Sequence, residues 1–120
     1  MITGGSRGLG RHAALTLAQE GCNIAICARG QETLDRTVAE LQGLGVRALG
    51  VQADVTIQND AHRLFMATVD ALGPVDVLVN NVGGSRGLDF DSAADAAWEY
   101  TLQLNLFSAV RLSRLVLPAM

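Results

Sequence analysis

The 120-residue sequence predicts an α/β fold built on a doubly wound parallel sheet, and an incomplete one. Three observations carry this. Short apolar runs alternate with longer stretches of helical periodicity, as strands do when crossover helices separate them. Val, Leu, Ile and Ala dominate while aromatic residues make up only 4%, which suits strands buried on both faces. A glycine cluster, Thr3-Gly4-Gly5-Ser6-Arg7-Gly8-Leu9-Gly10, stands directly before the first helical stretch, where such sheets place a ligand loop.

Composition narrows the class further. Apolar residues make up 49% of the chain and the mean hydropathy is positive, so a buried core is expected and disorder is not. Net charge is −3 with no basic run, which argues against nucleic acid as a partner. No segment is long and apolar enough to span a membrane, and the N-terminus lacks the pattern of a secretory leader, so a cytoplasmic setting is expected. Cys22 and Cys27 stand at neither C-x-x-C nor metal spacing; they read as two small buried residues in a reducing compartment, and no metal site is expected. His12 and His62 have no partner at metal or triad spacing and read as surface residues. All nine basic residues are arginine.

The elements follow in order. Met1-Ile2 before the glycine cluster is too short for an ordinary strand of about five or six residues, so the first strand is expected as a stub. A helix is expected over Leu9–Glu20, with Leu9, Ala13 and Leu17 beside Leu15 and Ala18 as its apolar side and Gly21 as its stop. Asn23–Ala28 (NIAICA) reads as a buried strand, and Gln31–Leu44 as a helix with Leu34, Val38 and Leu41 inward. Val46–Gln52 reads as the third strand. Ile57–Leu72 reads as a helix capped by Thr56 and stopped by Gly73-Pro74. Val75–Val79 is the fourth strand. One long helix is expected over Ser92–Leu117, with Ser92 and Asp95 as a capping pair and Trp98, Thr101, Leu102, Asn105, Ala109 and Leu112 on one side. Asn105 is the polar member of that stripe, and a buried amide must find partners.

The glycine cluster is the first candidate site. Glycines admit close approach of a ligand, and the helix behind them offers unpaired N–H groups and the positive end of its dipole, together a phosphate cradle. A Walker A loop is excluded, because Gly8 is followed by Leu9-Gly10 rather than Lys-Ser/Thr. Gly8-Leu9-Gly10-Arg11-His12-Ala13 fits the G-x-G-x-x-G/A dinucleotide pattern of Rossmann-type sheets. A glycine-rich turn without a ligand would explain the same residues. Arg29 lies 19 positions beyond Gly10, where an acidic residue would accept from the ribose 2′-hydroxyl of NAD. With Arg7 in the loop as well, two guanidinium groups suit a 2′-phosphate, so NADP is favoured over NAD. The alternative for Arg29 is a solvated loop charge. Asp54 likewise suits a plain strand-end turn beside Thr56. The segment Gly84-Ser85-Arg86-Gly87-Leu88 echoes Gly5-Ser6-Arg7-Gly8-Leu9, but Asp89 and Asp91 follow and would repel phosphate; it reads as a loop on the substrate side and the echo as chance.

Four motifs in fixed order resemble those of classical short-chain dehydrogenases/reductases across essentially the whole chain: T-G-x-x-x-G-x-G at Thr3–Gly10, the pair Asp54-Val55, N-N-x-G at Asn80–Gly83 with Val82 where the family has Ala, and W-x6-N at Trp98 and Asn105. Within that family the chain is similar to 3-oxoacyl-[acyl-carrier-protein] reductase-like members, though nothing in it identifies the substrate. The resemblance implies that Gly4, Ser6, Arg7, Gly8, Leu9, Gly10 and Arg29 hold the diphosphate and 2′-phosphate end. It implies that Asp54 and Val55 meet the adenine, that Asn80 and Gly83 serve the ribose side, and that Asn105 shifts the local helix and holds a water of the proton relay. It further implies hydride transfer between NADP(H) and a small carbonyl or alcohol substrate, and homo-oligomers formed through the Ser92–Leu117 helix. The family's catalytic Ser and Tyr-x-x-x-Lys are not here: Tyr100 is followed at the fourth place by Leu104, and there is no lysine. The chain is therefore read as a single partial NAD(P)-binding domain over residues 1–120, truncated at both ends, that supplies the cofactor-binding half and is inactive alone. A non-catalytic dinucleotide-binding module and an inactive fragment remain as alternatives.

Overall fold

The computed structural model describes residues 1–85 and 89–120. Strand β2 (Ile24–Ala28) is the centre of a three-stranded parallel sheet, flanked by β1 (Ile2–Thr3) and β3 (Ala48–Gln52). Its register pairs Ile2 with Ile26 and Thr3 with Cys27 on one side, and Ile24 through Ala28 with Ala48 through Gln52 on the other. On the far side of β1 the Val75–Val79 stretch pairs through one bridge, Ile2 with Val79. The expected fourth strand is thus an extended segment held by Thr3 N–H to Val79 O (3.0 Å), Val79 N–H to Met1 O (2.9 Å) and the Met1 amine to Val77 O (2.7 Å). The reason is length: β1 has only two residues against which a fourth ladder could form.

Helices cover both faces. Along β2 the apolar run alternates, Ile24 and Ile26 to one face and Ala25 and Cys27 to the other. The first face packs on α1 (Gly8–Gln19) and α2 (Gln31–Gly43) through Ala14, Ala18, Leu34 and Leu41. The second packs on α3 (Gln58–Leu72) and on α5 (Ser108–Val116) through Ala61, Leu64, Leu112 and Val116.

Several helix details differ from the periodicity. In α1 the buried positions are Gly10, Ala14 and Ala18; Leu9 is 79% exposed, and Leu15 and Leu17 pack only from the flank. Small residues are selected inward because the helix lies close against the loop and sheet. The helix stops as expected at Gly21, whose φ is +86° and whose N–H donates to Ala18 O (2.9 Å). Thr56 is not a cap: α3 begins after Ile57, and both the N–H and hydroxyl of Thr56 turn back to Asp54. Ser92 does not cap either; its hydroxyl donates to Asp89 O, and the helix begins at Asp95 after Ala94.

The long C-terminal helix is continuous but not uniform. It runs as α4 (Asp95–Leu102), a π-helical turn (Gln103–Phe107), α5 and a 3-10 turn (Leu117–Ala119). The π turn rotates the face: Ser108, Leu112 and Val116 are buried, whereas Trp98, Leu102 and Asn105 of the expected stripe are exposed. Leu106, Phe107, Val110 and Leu117 are exposed on the same run, as is Val77 on the extended segment. No helix among the described residues is long and apolar enough to cross a membrane. His12 and His62 are exposed as expected; Cys22 is exposed as well, and only Cys27 is buried.

Candidate functional site

A cavity of about 520 Å3 opens at the C-terminal ends of the strands, where parallel α/β sheets bind ligands. Four separate stretches wall it, and each comes directly off an extended segment. After β1 come Gly4, Ser6, Arg7 and Gly8; at the end of β2, Cys27, Ala28 and Arg29, followed by Gly30 and Thr33 of the α2 start. After β3 come Ala53, Asp54 and Val55; after Val79, Asn81, Val82 and Gly83, with Leu104 reaching in from the π turn. Of the residues singled out in the sequence, Leu9, Gly10, Asn80 and Asn105 do not line the cavity.

The glycine loop is shaped by close packing. Gly4 takes φ +66° and Gly8 φ +54°, which turn the chain out of β1 and into α1. A Cβ on Gly10 would lie 2.4 Å from both Gly4 O and Asn81 Nδ2, so the helix start can sit on the loop only as glycine. Gly5, outside the spaced glycines, is as constrained: its Cβ would lie 2.4 Å from Ile26 Cγ2. Arg7 is the N-cap of α1 in extended conformation and makes no side-chain cap, so its side chain leaves the first N–H groups of α1 unsatisfied. The buried Thr37 hydroxyl of α2 lies 3.3 Å from Ser6 O and 3.0 Å from Thr33 O, so its one hydrogen is shared between the loop and its own helix.

Arg7 and Arg29 are exposed, and among the described residues neither takes part in an ion pair. The Arg29 carbonyl accepts from Gln52 Nε2 (2.9 Å), which fixes the backbone of that residue to β3. Asp54 Oδ1 accepts from Thr56 N–H (3.0 Å) and from the Thr56 hydroxyl (2.7 Å). Both bonds fall on one carboxylate oxygen. Asp54 N–H donates to Asp60 Oδ2 (2.8 Å), and that bond, with the Arg63 guanidinium second, holds the Asp60 carboxyl below its usual range. The Cys27 thiol is pushed up to about 11, chiefly by burial, so the cavity floor there is a neutral thiol.

On the opposite wall Asn81 was missed by the sequence reading, which singled out Asn80. Asn81 Nδ2 donates to Thr3 O (2.9 Å) and Gly4 O (3.3 Å), and the Asn81 and Val82 N–H groups both donate to the Thr3 hydroxyl (2.9 and 3.0 Å). Asn80 instead points its amide to Ser113 Oγ (3.3 Å). Adjacent amides on an extended chain face opposite ways, and only one can reach the glycine loop. Asn105, expected as a buried amide, is exposed yet well partnered: Nδ2 donates to Gly84 O and Thr101 O (both 2.8 Å), and Oδ1 accepts from Gly84 N–H (2.9 Å). It lies within the π turn. The Gly84–Leu88 echo falls in part on residues 86–88, outside the described residues. Among the described residues there is no cluster of metal-binding side chains.

Comparison with known proteins agrees with this geometry. The family model for short chain dehydrogenases matches residues 1–120. The uncharacterized oxidoreductase YvrD of Bacillus subtilis (strain 168) is 40% identical over 120 residues, covering 100% of this chain and 45% of that protein. The 7alpha-hydroxysteroid dehydrogenase of Escherichia coli (strain K12) is 34% identical over 120 residues, or 47% of its length. The crystal structure of L-sorbose reductase from Gluconobacter frateurii, complexed with NADPH and L-sorbose, superposes with a TM-score of 0.94 at 34% identity, covering 99% of this chain and 46% of that one. A 7alpha-hydroxysteroid dehydrogenase complexed with NADH and 7-oxo glycochenodeoxycholic acid superposes at 0.95 and 34% identity, with 99% and 46% covered. The chain spans about half the length of the relatives it matches.

Proposed function

The chain belongs to the short chain dehydrogenase family, and from that premise we propose that its cavity is the dinucleotide site of an NADP-preferring oxidoreductase. The observation that carries the proposal is the gathering of Gly4, Arg7, Arg29, Asp54 and Gly83 around one cavity from four distant stretches. The residues fit the group. A Cβ on Gly4 would crowd Asn81 and Val82 at 3.1 Å, and one on Gly83 would meet Asn105 Oδ1 at 2.9 Å, so these two walls pack against their neighbours without shift only as glycine. A nicotinamide dinucleotide, when bound, supplies the hydride exchanged with a carbonyl or alcohol carbon.

The chain's own residues divide the remaining work. The uncapped N–H groups at the start of α1 and the Ser6–Gly8 backbone would receive the diphosphate. Arg7 and Arg29, in no ion pair among the described residues, would take a 2′-phosphate. The free oxygen of Asp54 would accept from an adenine amino group while Thr56 keeps the other occupied, and Val55 would meet the ring. Asn105, with both amide hydrogens spent on Gly84 and Thr101, would keep one Oδ1 lone pair for the water of a proton relay. Leu9, Gly10 and Asn80 would act from behind the wall. Residues 1–120 would then be the cofactor-binding part of one domain. With no lysine in the sequence, the Tyr–Lys proton donor pair would lie outside these residues, and the chain alone would bind without turnover.

A small carbonyl or alcohol substrate belongs to the same proposal, as does a cytoplasmic setting, with which the free thiols of Cys22 and Cys27 are compatible. Self-association through the C-terminal helix would use the exposed Leu102, Leu106, Phe107 and Val110. The test is amide NMR during titration with NADPH. Shifts concentrated at Gly4, Gly8, Arg29, Asp54 and Gly83, with His62 on α3 unmoved, are expected; shifts spread elsewhere with those five unmoved would overturn the assignment.

A further inference from the structure

We infer that Arg111 is a positioning residue for the cavity, bridging the Asp54–Thr56 turn on one wall to the π-helical turn behind the Gly83 wall. The inference rests on the cavity being a dinucleotide site. Arg111 lies on α5, partly buried. Its Nη1 donates to Thr56 O (3.1 Å) and its Nη2 to Gln103 Oε1. Thr56 in turn gives both its N–H and its hydroxyl to Asp54 Oδ1. Gln103 opens the π turn in which Asn105 grips both the N–H and the carbonyl of Gly84. One guanidinium thus ties the Asp54–Thr56 turn after β3 to the π turn of its own helix, which in turn holds Gly84.

The residue type matters. Among the described residues Arg111 has no carboxylate partner, so its charge is not there for an ion pair. The planar fork presents two donors in a fixed relation, which one ammonium cannot reproduce with the same reach. Removing it would leave the Thr56 carbonyl without this donor and free the Asp54 turn to move relative to Gly83. Arg111 does not line the cavity, so its effect on a ligand passes through the Asp54–Thr56 turn that it holds in place.

Amide hydrogen exchange on the full chain, without ligand, tests the bridge. In Arg111→Met, exchange at Thr56, Ile57 and Gly84 should quicken at least tenfold while the β2–β3 amides keep their protection. Should that variant loosen the whole sheet, Arg111→Lys decides, since it keeps the charge and a single donor: the same three amides should quicken by a smaller factor. Unchanged exchange at Thr56 and Gly84 overturns the bridge. NADPH titration then tests the route to the ligand. Arg111→Met should weaken binding about tenfold, and should add little further loss in an Asp54→Ala background, because both act through one turn. Fully additive losses would overturn the coupling. A wild-type chain that binds neither NADPH nor NADH would sink the cofactor proposal, and the exchange comparison would still decide the bridge.

Discussion

Thr3 and Asn81, 78 positions apart, hold each other reciprocally: the Asn81 N–H donates to the Thr3 hydroxyl and the Asn81 side-chain amide donates to the Thr3 carbonyl, both at 2.9 Å. The Thr3 hydroxyl also accepts from Val82 N–H, and Thr3 is 2% exposed. Thr3→Val keeps the shape and removes the acceptor of two backbone N–H groups. It should cost about 2 kcal/mol or more, whereas Thr3→Ser should stay within about 1 kcal/mol. Urea unfolding midpoints at unchanged slope measure both.

Gly5 and Gly43 should respond in opposite directions to the same change. A Cβ on Gly5 meets the fully buried Ile26, so Gly5→Ala should destabilise by about 1–3 kcal/mol. Gly43 ends α2 with nothing within 4 Å of a Cβ and no positive φ, so Gly43→Ala should stabilise by about 0.4–1 kcal/mol. Thermal melts of the two variants beside wild type give the sign of each.

Strand–helix alternation and the ligand loop after β1 were legible because they depend on local apolar runs and glycine spacing. Ile24–Ala28 announces itself by its apolar run, whereas Asp54 and Gly83 join Gly4, Gly8 and Arg29 only through the family resemblance; all five line the cavity. What escaped depends on which way a side chain faces once the chain is packed. Leu9 looks like a core residue by period yet points out, since α1 turns its small residues Gly10, Ala14 and Ala18 to the sheet. Asn80 and Asn81 are identical by type, and only pairing with Val79 and Thr3 decides which amide reaches the loop. Gly5 carries no spacing signal; its constraint comes from Ile26 across the sheet. The π turn that exposes Trp98 and Leu102 is a geometric insertion that a fixed helical period cannot show.

Arg29 should set cofactor choice. Arg29→Glu removes a cation suited to a 2′-phosphate and supplies an acceptor for a 2′-hydroxyl. NADPH affinity should fall by at least tenfold, NADH affinity should hold or rise, and Arg7→Ala should weaken NADPH alone. Competition against 2′,5′-ADP reads the change at the adenosine end directly.

Cys27 gives the chain an alkaline weakness. Below pH 9 folded and unfolded states both keep its proton and the thiol has no pH effect. Between the ordinary 9.0 and the folded value of about 11, the unfolded chain releases the proton while the folded chain keeps it, so stability falls as pH rises. Two pKa steps bound the loss at about 2–3 kcal/mol. Cys27→Ala should flatten that part of a denaturation-versus-pH curve. At neutral pH, exposed Cys22 should alkylate with iodoacetamide far faster than Cys27 in the folded chain.

The most direct measurement is isothermal titration of the folded chain, its fold checked by circular dichroism, with NADPH and with NADH. One site, with NADPH bound at least tenfold more tightly and that preference lost in Arg29→Glu, is the predicted result. A cooperative fold that takes up neither dinucleotide, or that prefers NADH with Arg29 intact, would contradict the assignment of this cavity to an NADP-type cofactor.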